Sequence, residues 1–405
     1  MDLSGLQKLE GRDIRANRFR ETLAPPEYRA VFHPVTAIDT GLVEAWKDLA
    51  REASEPNIFY EPWFLRPALD QFDHHPDLRL FLLWAGEPGA SLLLALLPIG
   101  PASHFGRWPV PHVQNWLHHN CFLGTPLVRQ GYEQLFWEQL LSALDDCDWP
   151  GFLHINGMTI GEPLDQAMRA VCGAQRRRCD LVHSEARALL QSELGPDAYL
   201  SENVRGKKRK ELRRQAKRLD ELGAVTYAHR TGAEDIDQWI DEFLELERRG
   251  WKGFGGSALD SAGQTRAFFR DALLGAARAG QLERHDIRLE GEPLAMLVNF
   301  HSGRGSFSFK TAFDEAFARF SPGVLLQLEN LRILDNPAIA WMDSCAAEDH
   351  PMIDSIWSGR RHIGRFSIEL KGLSRRAIFH GLRLGEDLMG KIRGREIFDP
   401  TERQQ

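Results

Sequence analysis

The sequence predicts a mixed α/β fold divided into two successive units, each with a largely antiparallel central sheet flanked by helices. Three observations carry this expectation. The chain has 405 residues, more than one ordinary domain needs. Stretches with apolar residues at alternate positions are interspersed with stretches of helical period. Residues 282–311 read as three consecutive strands joined by short turns, and a capped helix start follows at Ser321. The expected division is a leader over residues 1–30, a first domain over 31–194, a second over 195–370, and a helix with a polar tail over 371–405.

The leader is charged and ends in Pro25-Pro26, as a poorly packed segment does. Val31 to Thr36 follows as a strand, and Leu42 to Ala53 as an amphipathic helix with Leu42, Trp46 and Leu49 on one face. A short helix begins after Glu61-Pro62. Leu78 to Trp84 and Ser91 to Pro98 are apolar strands of a hairpin across Gly86-Glu87-Pro88-Gly89. Phe105 to Thr125 lacks periodicity and reads as a long loop. Its Trp108, Trp116, His118, His119 and Asn120 either line a cleft or simply pack; packing is the simpler reading, because aromatic rings bury apolar area wherever they sit. Tyr132 to Leu144 and Pro163 to Cys172 are helices, and Phe152 to Ile155 and Asp180 to Ser184 are strands.

The second unit opens near Gly195-Pro196. Lys207 to Arg218, KKRKELRRQAKR, carries eight positive charges against one acid, with Leu212, Ala216 and Leu219 spaced as the buried stripe of a helix. Its cationic face suits an anionic partner or, more plainly, solvent. Val225 to His229 is a strand, and Glu234 to Gly250 a helix with the stripe Ile236, Trp239, Ile240, Phe243 and Leu246. Glu247 borders that stripe. After the glycine-rich 253–256 loop, Thr265 to Ala279 is a helix. The meander 282–289, 294–300 and 305–311 ends in a strand whose Phe307 and Phe309 alternate with Ser306, Ser308 and Lys310. Ser321-Pro322-Gly323 then starts a helix: serine as N-cap, proline where no amide hydrogen is needed, and glycine where a ligand could approach the backbone. Bare amides there, with the helix dipole, would favour a pyrophosphate, the competing reading being an ordinary connection. Ala338 to Asp343 is a strand and Arg375 to Gly390 a helix.

The net charge of −7 argues against a surface devoted to nucleic acid or membrane. Met1 to Glu21 is charged without an apolar core, so no signal peptide is expected, and no apolar run reaches the ~20 residues of a membrane span. Five scattered cysteines, Cys121, Cys147, Cys172, Cys179 and Cys345, read as reduced thiols of a cytoplasmic protein. No CxxC or Cys/His pair has zinc spacing, and the adjacent pairs His74-His75 and His118-His119 diverge, so no metal is expected.

Leu246-Glu247, Gly250-Trp251-Lys252-Gly253 with Gly256, Lys310-Thr311-Ala312-Phe313-Asp314-Glu315, Ser321-Pro322-Gly323, Asp343-Ser344-Cys345, Asp349-His350-Pro351 and Trp357 form an ordered set over more than a hundred residues. That set resembles the tandem GNAT-superfamily acyltransferases of the CelD type, associated with cellulose and exopolysaccharide synthesis and related to Fem-type transferases. The resemblance implies two GNAT-like domains, acetyl-CoA or another acyl-CoA as co-substrate, and an amine-bearing sugar or lipid-linked acceptor. From its charge alone, the Lys207 to Arg218 helix could meet the phosphates of coenzyme A, a lipid-linked sugar, a tRNA or, peripherally, an anionic bilayer at the inner face of the membrane; the resemblance itself bears on the donor site. It places the donor's pyrophosphate at Lys310, Arg319, Ser321, Gly323 and Val324. One departure stands out: Arg319 precedes Gly323 by one residue more than the family's pyrophosphate signature allows, and Val324 or Leu325 stands where a small residue belongs.

Acyl transfer to an amine needs a base, donors for the oxyanion, and a proton for the leaving thiolate. Glu247, bordering an apolar face, is the first candidate base, with an ion pair to Lys252 or Lys310 as the plainer alternative. Asp349-His350 is the second, an imidazole that an adjacent acid could orient or, more plainly, a surface-loop histidine. Lys310 and Asp343 are expected to face each other and shape the cleft. Trp251, Lys252 and Trp357 are candidates for the acceptor wall, core packing being the simpler role of the tryptophans, while Asp314 and Ser321 are most simply turn and cap residues. No G-x-S-x-G elbow or Walker loop occurs, and Cys345 lacks a histidine partner unless His350 folds back. The leading expectation is an acyl-CoA-dependent N-acyltransferase. The alternatives are a Fem-type aminoacyl-tRNA-dependent transferase, disfavoured by the acidic net charge, and a catalytically silent scaffold of a polysaccharide-synthesis complex docking through the Phe105 to Thr125 loop.

Overall fold

A computed structural model of the chain describes residues 27–86, 91–249 and 263–393. Most of the leader, the 87–90 turn, Trp251, Lys252 with the glycine loop, and the tail lie outside the described residues.

The fold is the expected mixed α/β arrangement, but the strands of both halves join one thirteen-stranded sheet. In chain order they are β1 (Tyr28–Pro34), β2 (Arg79–Ala85), β3 (Leu92–Ala102), β4 (His112–Asn115), β5 (Leu127–Val128), β6 (Leu153–Thr159), β7 (Cys179–Leu190), β8 (Val225–Arg230), β9 (Leu282–Leu289), β10 (Glu292–Ser302), β11 (Gly305–Phe313), β12 (Trp341–Asp343) and β13 (Gly359–Ile368). Across the sheet they run β1-β2-β3-β4-β6-β13-β7-β12-β11-β10-β9-β8, with β5 beside β3. The two ends repeat one design. Four antiparallel strands lead inward to a parallel step, β4 to β6 on one side and β11 to β12 on the other. The halves then exchange strands: β13, from late in the chain, lies against β6, and β7, from early in the chain, lies against β12. β7 and β13 join the halves through a ladder from Gly359↔Leu189 to Ile368↔Cys179.

The helices form where periodicity and caps agree. In α1 (Thr40–Arg51), Asp39 accepts the Leu42 amide at 2.7 Å, and Leu42, Trp46 and Leu49 are buried at helical spacing. α2 (Pro62–Gln71) begins at proline. α3 (Glu133–Asp146), α4 (Pro163–Ala174), α5 (Pro196–Asn203) and α6 (Gly206–Asp220) follow, then α7 (Ile236–Arg249), α8 (Gly263–Arg278), α9 (Pro322–Asn330) and α10 (Leu373–Arg393). α2 packs on α8 and α7 crosses β10 and β11, so the first half reaches over one face of the second. Their shared core is aromatic: Phe64 meets Phe268 at 5.0 Å and Phe309 at 5.5 Å, and Phe59 meets Phe307 at 5.9 Å between ring centres. α9 covers the opposite face of β9 to β11.

Candidate active site

The parallel step β11 to β12 is short for a physical reason. Pairing runs through Gly305↔Trp341, Ser306↔Met342 and Phe307↔Asp343, and stops there. Asp343, fully buried, receives Arg187 Nη2 at 2.7 Å, Arg361 Nη1 at 2.9 Å and the Cys345 amide at 2.9 Å. Burial opposes its ionisation, yet the two guanidinium groups outweigh burial and hold the carboxyl below its usual range. The Ser344 amide then bonds the Ala188 carbonyl on β7, and Cys345 turns with φ 52°. The chain past Asp343 therefore follows β7 and leaves β11. On the other side of the gap, Phe309 is an extra residue in β11, since Ser308 pairs Asn299 and Lys310 already pairs Val298. A bulge of this kind leaves a residue out of the ladder and re-aims its neighbours. Together the divergence and the bulge make a notch in the sheet.

The bulge corrects one expectation. Lys310 does not continue the serine face toward Asp343, whose bonds go to Arg187, Arg361 and Cys345. Its Nζ lies 5.4 Å from the Phe122 ring centre and 5.6 Å from that of Phe309. Ser308, on the other face, accepts from Gln327 of α9 at 3.3 Å. Beside Phe122 a cleft of about 510 Å³ opens over the β7 and β13 strands, lined by Asn115, Asn156, Cys121, Arg187, Cys345 and Arg365 among others. Other residues of the aromatic loop, Asn115, Cys121 and Phe122, line this cleft, and Trp108, Trp116, His118, His119 and Asn120 do not. His118 packs between Phe64 and Phe72, and burial pushes its pKa down to about 3, so it stays neutral. Part of that loop is strand β4.

The helix start departs from the expected row of bare amides. Ser321 has φ 53° and makes no side-chain cap. Its own amide donates to Ala318, and its carbonyl accepts from Val324 at 2.9 Å and Leu325 at 3.0 Å. Pro322 has no N–H, which leaves Gly323, and Met352 lies against it: a Cβ on Gly323 would meet the Met352 methyl at 3.0 Å and sulfur at 3.2 Å. The protein's own groups thus occupy the place proposed for pyrophosphate. Arg319 stacks on Phe320 at 4.7 Å, and its carbonyl accepts from Gln215 of the cationic helix α6, so α6 runs beside this start.

Of the other expected site residues, Glu247 is buried on α7, in the apolar stripe that joins the core of Phe300, Phe307 and Phe309. His350 and Asp349 lie in the segment that carries Met352; the His350 carbonyl starts a helical turn and Asp349 adopts φ 57°. Asp314 accepts the Ala316 amide at 2.9 Å as a cap. Trp357 is buried in the core beneath α9, so it packs and does not wall an open site. Burial holds the Cys345 thiol well above its usual range, which removes it as a ready nucleophile. Sequence reasoning missed the Arg187 and Arg361 pair around Asp343, because both arginines come from strands with no clean alternation.

Residues 206–350 match a family model described as an acetyltransferase (GNAT) domain, the span from α6 to just past the notch. Comparison with curated protein sequences gives no match. Among solved structures the chain is similar to FemX, at 10% identity and a TM-score of 0.55, with 84% of this chain and 96% of that one covered. It is also similar to a conserved protein of unknown function from Bacteroides thetaiotaomicron, at 10% identity and a TM-score of 0.52, covering 85% of this chain and all of that one. At such identities these likenesses speak for the fold.

Proposed function

We propose that the chain is an acyltransferase that moves an acyl group from acyl-CoA to an amine, with an amino sugar of an exopolysaccharide or envelope precursor as acceptor. The observation that carries this is the notch between β11 and β12, inside the segment that matches the GNAT model. A strand edge released from its ladder offers N–H and C=O groups to an extended, amide-bearing chain, much as an added strand would be held. The cations of α6, beside the α9 start, supply the field for the donor's phosphates, and the Met352 side chain, which lies against Gly323, would have to swing aside to admit them. Glu247 and His350 are the candidate bases. Lys310 lies over Phe122, whose ring lines the cleft that would take the acceptor. Calorimetry with acetyl-CoA tests the reading: binding is expected, weaker when Lys210 and Arg214 are reversed to Glu. Absence of heat at millimolar donor removes it.

One observation favours a second reading. The occupied helix start beside a cationic helix suits a donor whose phosphates lie outside a helix-end cradle, as in a Fem-type transfer from aminoacyl-tRNA. Affinity for tRNA that falls steeply with salt, with no binding of acyl-CoA, would select it.

A further inference from the structure

On the face of the second half away from the notch mouth, three strands bring imidazoles and a carboxylate together. His229 on β8 pairs across the ladder with His285 on β9, and Glu283 lies two residues before His285 on the same side. Nε2 of His229 is 2.6 Å and Nε2 of His285 is 3.5 Å from Glu283 Oε1, and the three ligand atoms all lie within 4.8 Å of one another. Donors around a tetrahedral ion with bonds of about 2.0–2.1 Å stand roughly 3.3 Å apart, so small side-chain shifts would seat one. The other carboxylate oxygen is held from behind, by Asn299 Nδ2 at 2.9 Å with His301 Nε2 at 3.5 Å, as an outer shell holds a metal-binding carboxylate. Asn299 is fully buried and its Oδ1 has no partner among the described residues. A cavity of about 170 Å³ is lined by His229, Glu283 and His285, with Glu329, Asp286 and Arg332 around it, and offers a fourth position and a way in.

We propose that His229, His285 and Glu283 bind one divalent ion of the zinc class, with a position open to the cavity. Two imidazoles and one carboxylate are the donor set such an ion takes, and hard cations such as magnesium, which prefer all-oxygen shells, are disfavoured. The ion ties the edge strand β8 to the floor of the notch. From Glu283 a chain of buried bonds runs through Asn299 to Asn330 at 2.8 Å, Asn330 to Gln327 at 3.0 Å, and Gln327 to Ser308 on β11 at 3.3 Å. The site is independent of which acyl donor the notch takes.

The test uses the full chain stripped with a chelator, then titrated with Co²⁺ and Zn²⁺. One equivalent of each is expected, Co²⁺ with the visible band of a low-coordinate nitrogen and oxygen site, and a raised melting temperature in Zn²⁺. His229→Ala, whose side chain is 49% exposed in the parent, removes a ligand at little risk to the fold, and Glu283→Gln keeps the shape. Each should weaken Zn²⁺ affinity by about 100-fold or more, beyond the 10–100-fold typical of outer-shell changes. His183→Ala, at an exposed histidine elsewhere, should change nothing. Less than a stoichiometric amount of Co²⁺ in the parent, or a band that survives both His229→Ala and Glu283→Gln, overturns the proposal.

Discussion

The sheet contains the same parallel step twice, and the two copies differ in what fills them. In the first half, β4 and β6 pair through Val113↔Leu153 and Gln114↔His154 and then part. Asn115 closes the gap at once: its Oδ1 accepts the Asn156 amide at 2.7 Å, while its Nδ2 donates to the carbonyls of Asn156 at 2.9 Å and Gly124 at 3.1 Å. Gly124 presses so near that a Cβ there would lie 2.0 Å from the Asn156 oxygen. In the second half, among the described residues, no side-chain amide is seen to bridge β11 and the segment after Asp343, and β11 bulges beside the gap. A side chain that imitates a strand turns a potential cleft into structure; a buried charge cluster beside the step holds the other one apart.

Four changes break or sharpen this contrast. Asp343→Ala should be the largest, because Arg187 and Arg361 would be left buried without their carboxylate; about 3–5 kcal/mol of stability is expected to go, read by chemical denaturation. The next concerns Glu55 in the first half, whose carboxyl is pushed up to about 7 chiefly by burial, with the Leu164 amide opposing. Since its folded value exceeds the unfolded one, stability is fully present below about pH 4.5 and declines by about 3 kcal/mol as pH rises through 7. Glu55→Gln should flatten that decline, and an unchanged pH profile would show that the group stays ionised. Asn115→Ala should cost about 2 kcal/mol for its lost bonds without creating a donor site. Acyl-CoA binding at the first half in that variant would reduce the contrast to the plug alone. Smallest is Met352→Ala, expected to tighten acyl-CoA binding by a few-fold, about 1 kcal/mol, by uncovering Gly323. Weaker binding would mean that the thioether contacts the donor.

Much of this architecture is legible in the residues. The meander 282–313, the stripe of α7, the Asp314 cap and the start of α9 all follow from alternation, helical spacing and turn chemistry. β13 does not: Arg360, Arg361, His362 and Arg365 interrupt its apolar positions, and only its place between β6 and β7 makes it a strand. The orientation of Lys310 escapes for a similar reason, since a one-residue bulge reverses the alternation on which a face is assigned and depends on the neighbouring strand. The Met352 contact with Gly323 and the His229 and Glu283 cluster are likewise tertiary, made by residues distant in the chain. Glu283 and His285 alternate on one strand, a pattern that invites a ligand search once a histidine is found on the strand beside it.

The exchange of β7 and β13 makes the two halves mutually dependent. A chain cut in the linker near Gly195 would leave the amino-terminal piece with β6 missing its neighbour and β7 with no partner, and the carboxyl-terminal piece in the reciprocal position. Each fragment alone exposes hydrogen-bonding edges and is prone to aggregate, whereas the pair, mixed while refolding, can complete one another. Expressed separately and reassembled, the protein would behave as a split molecule whose seam is its own middle.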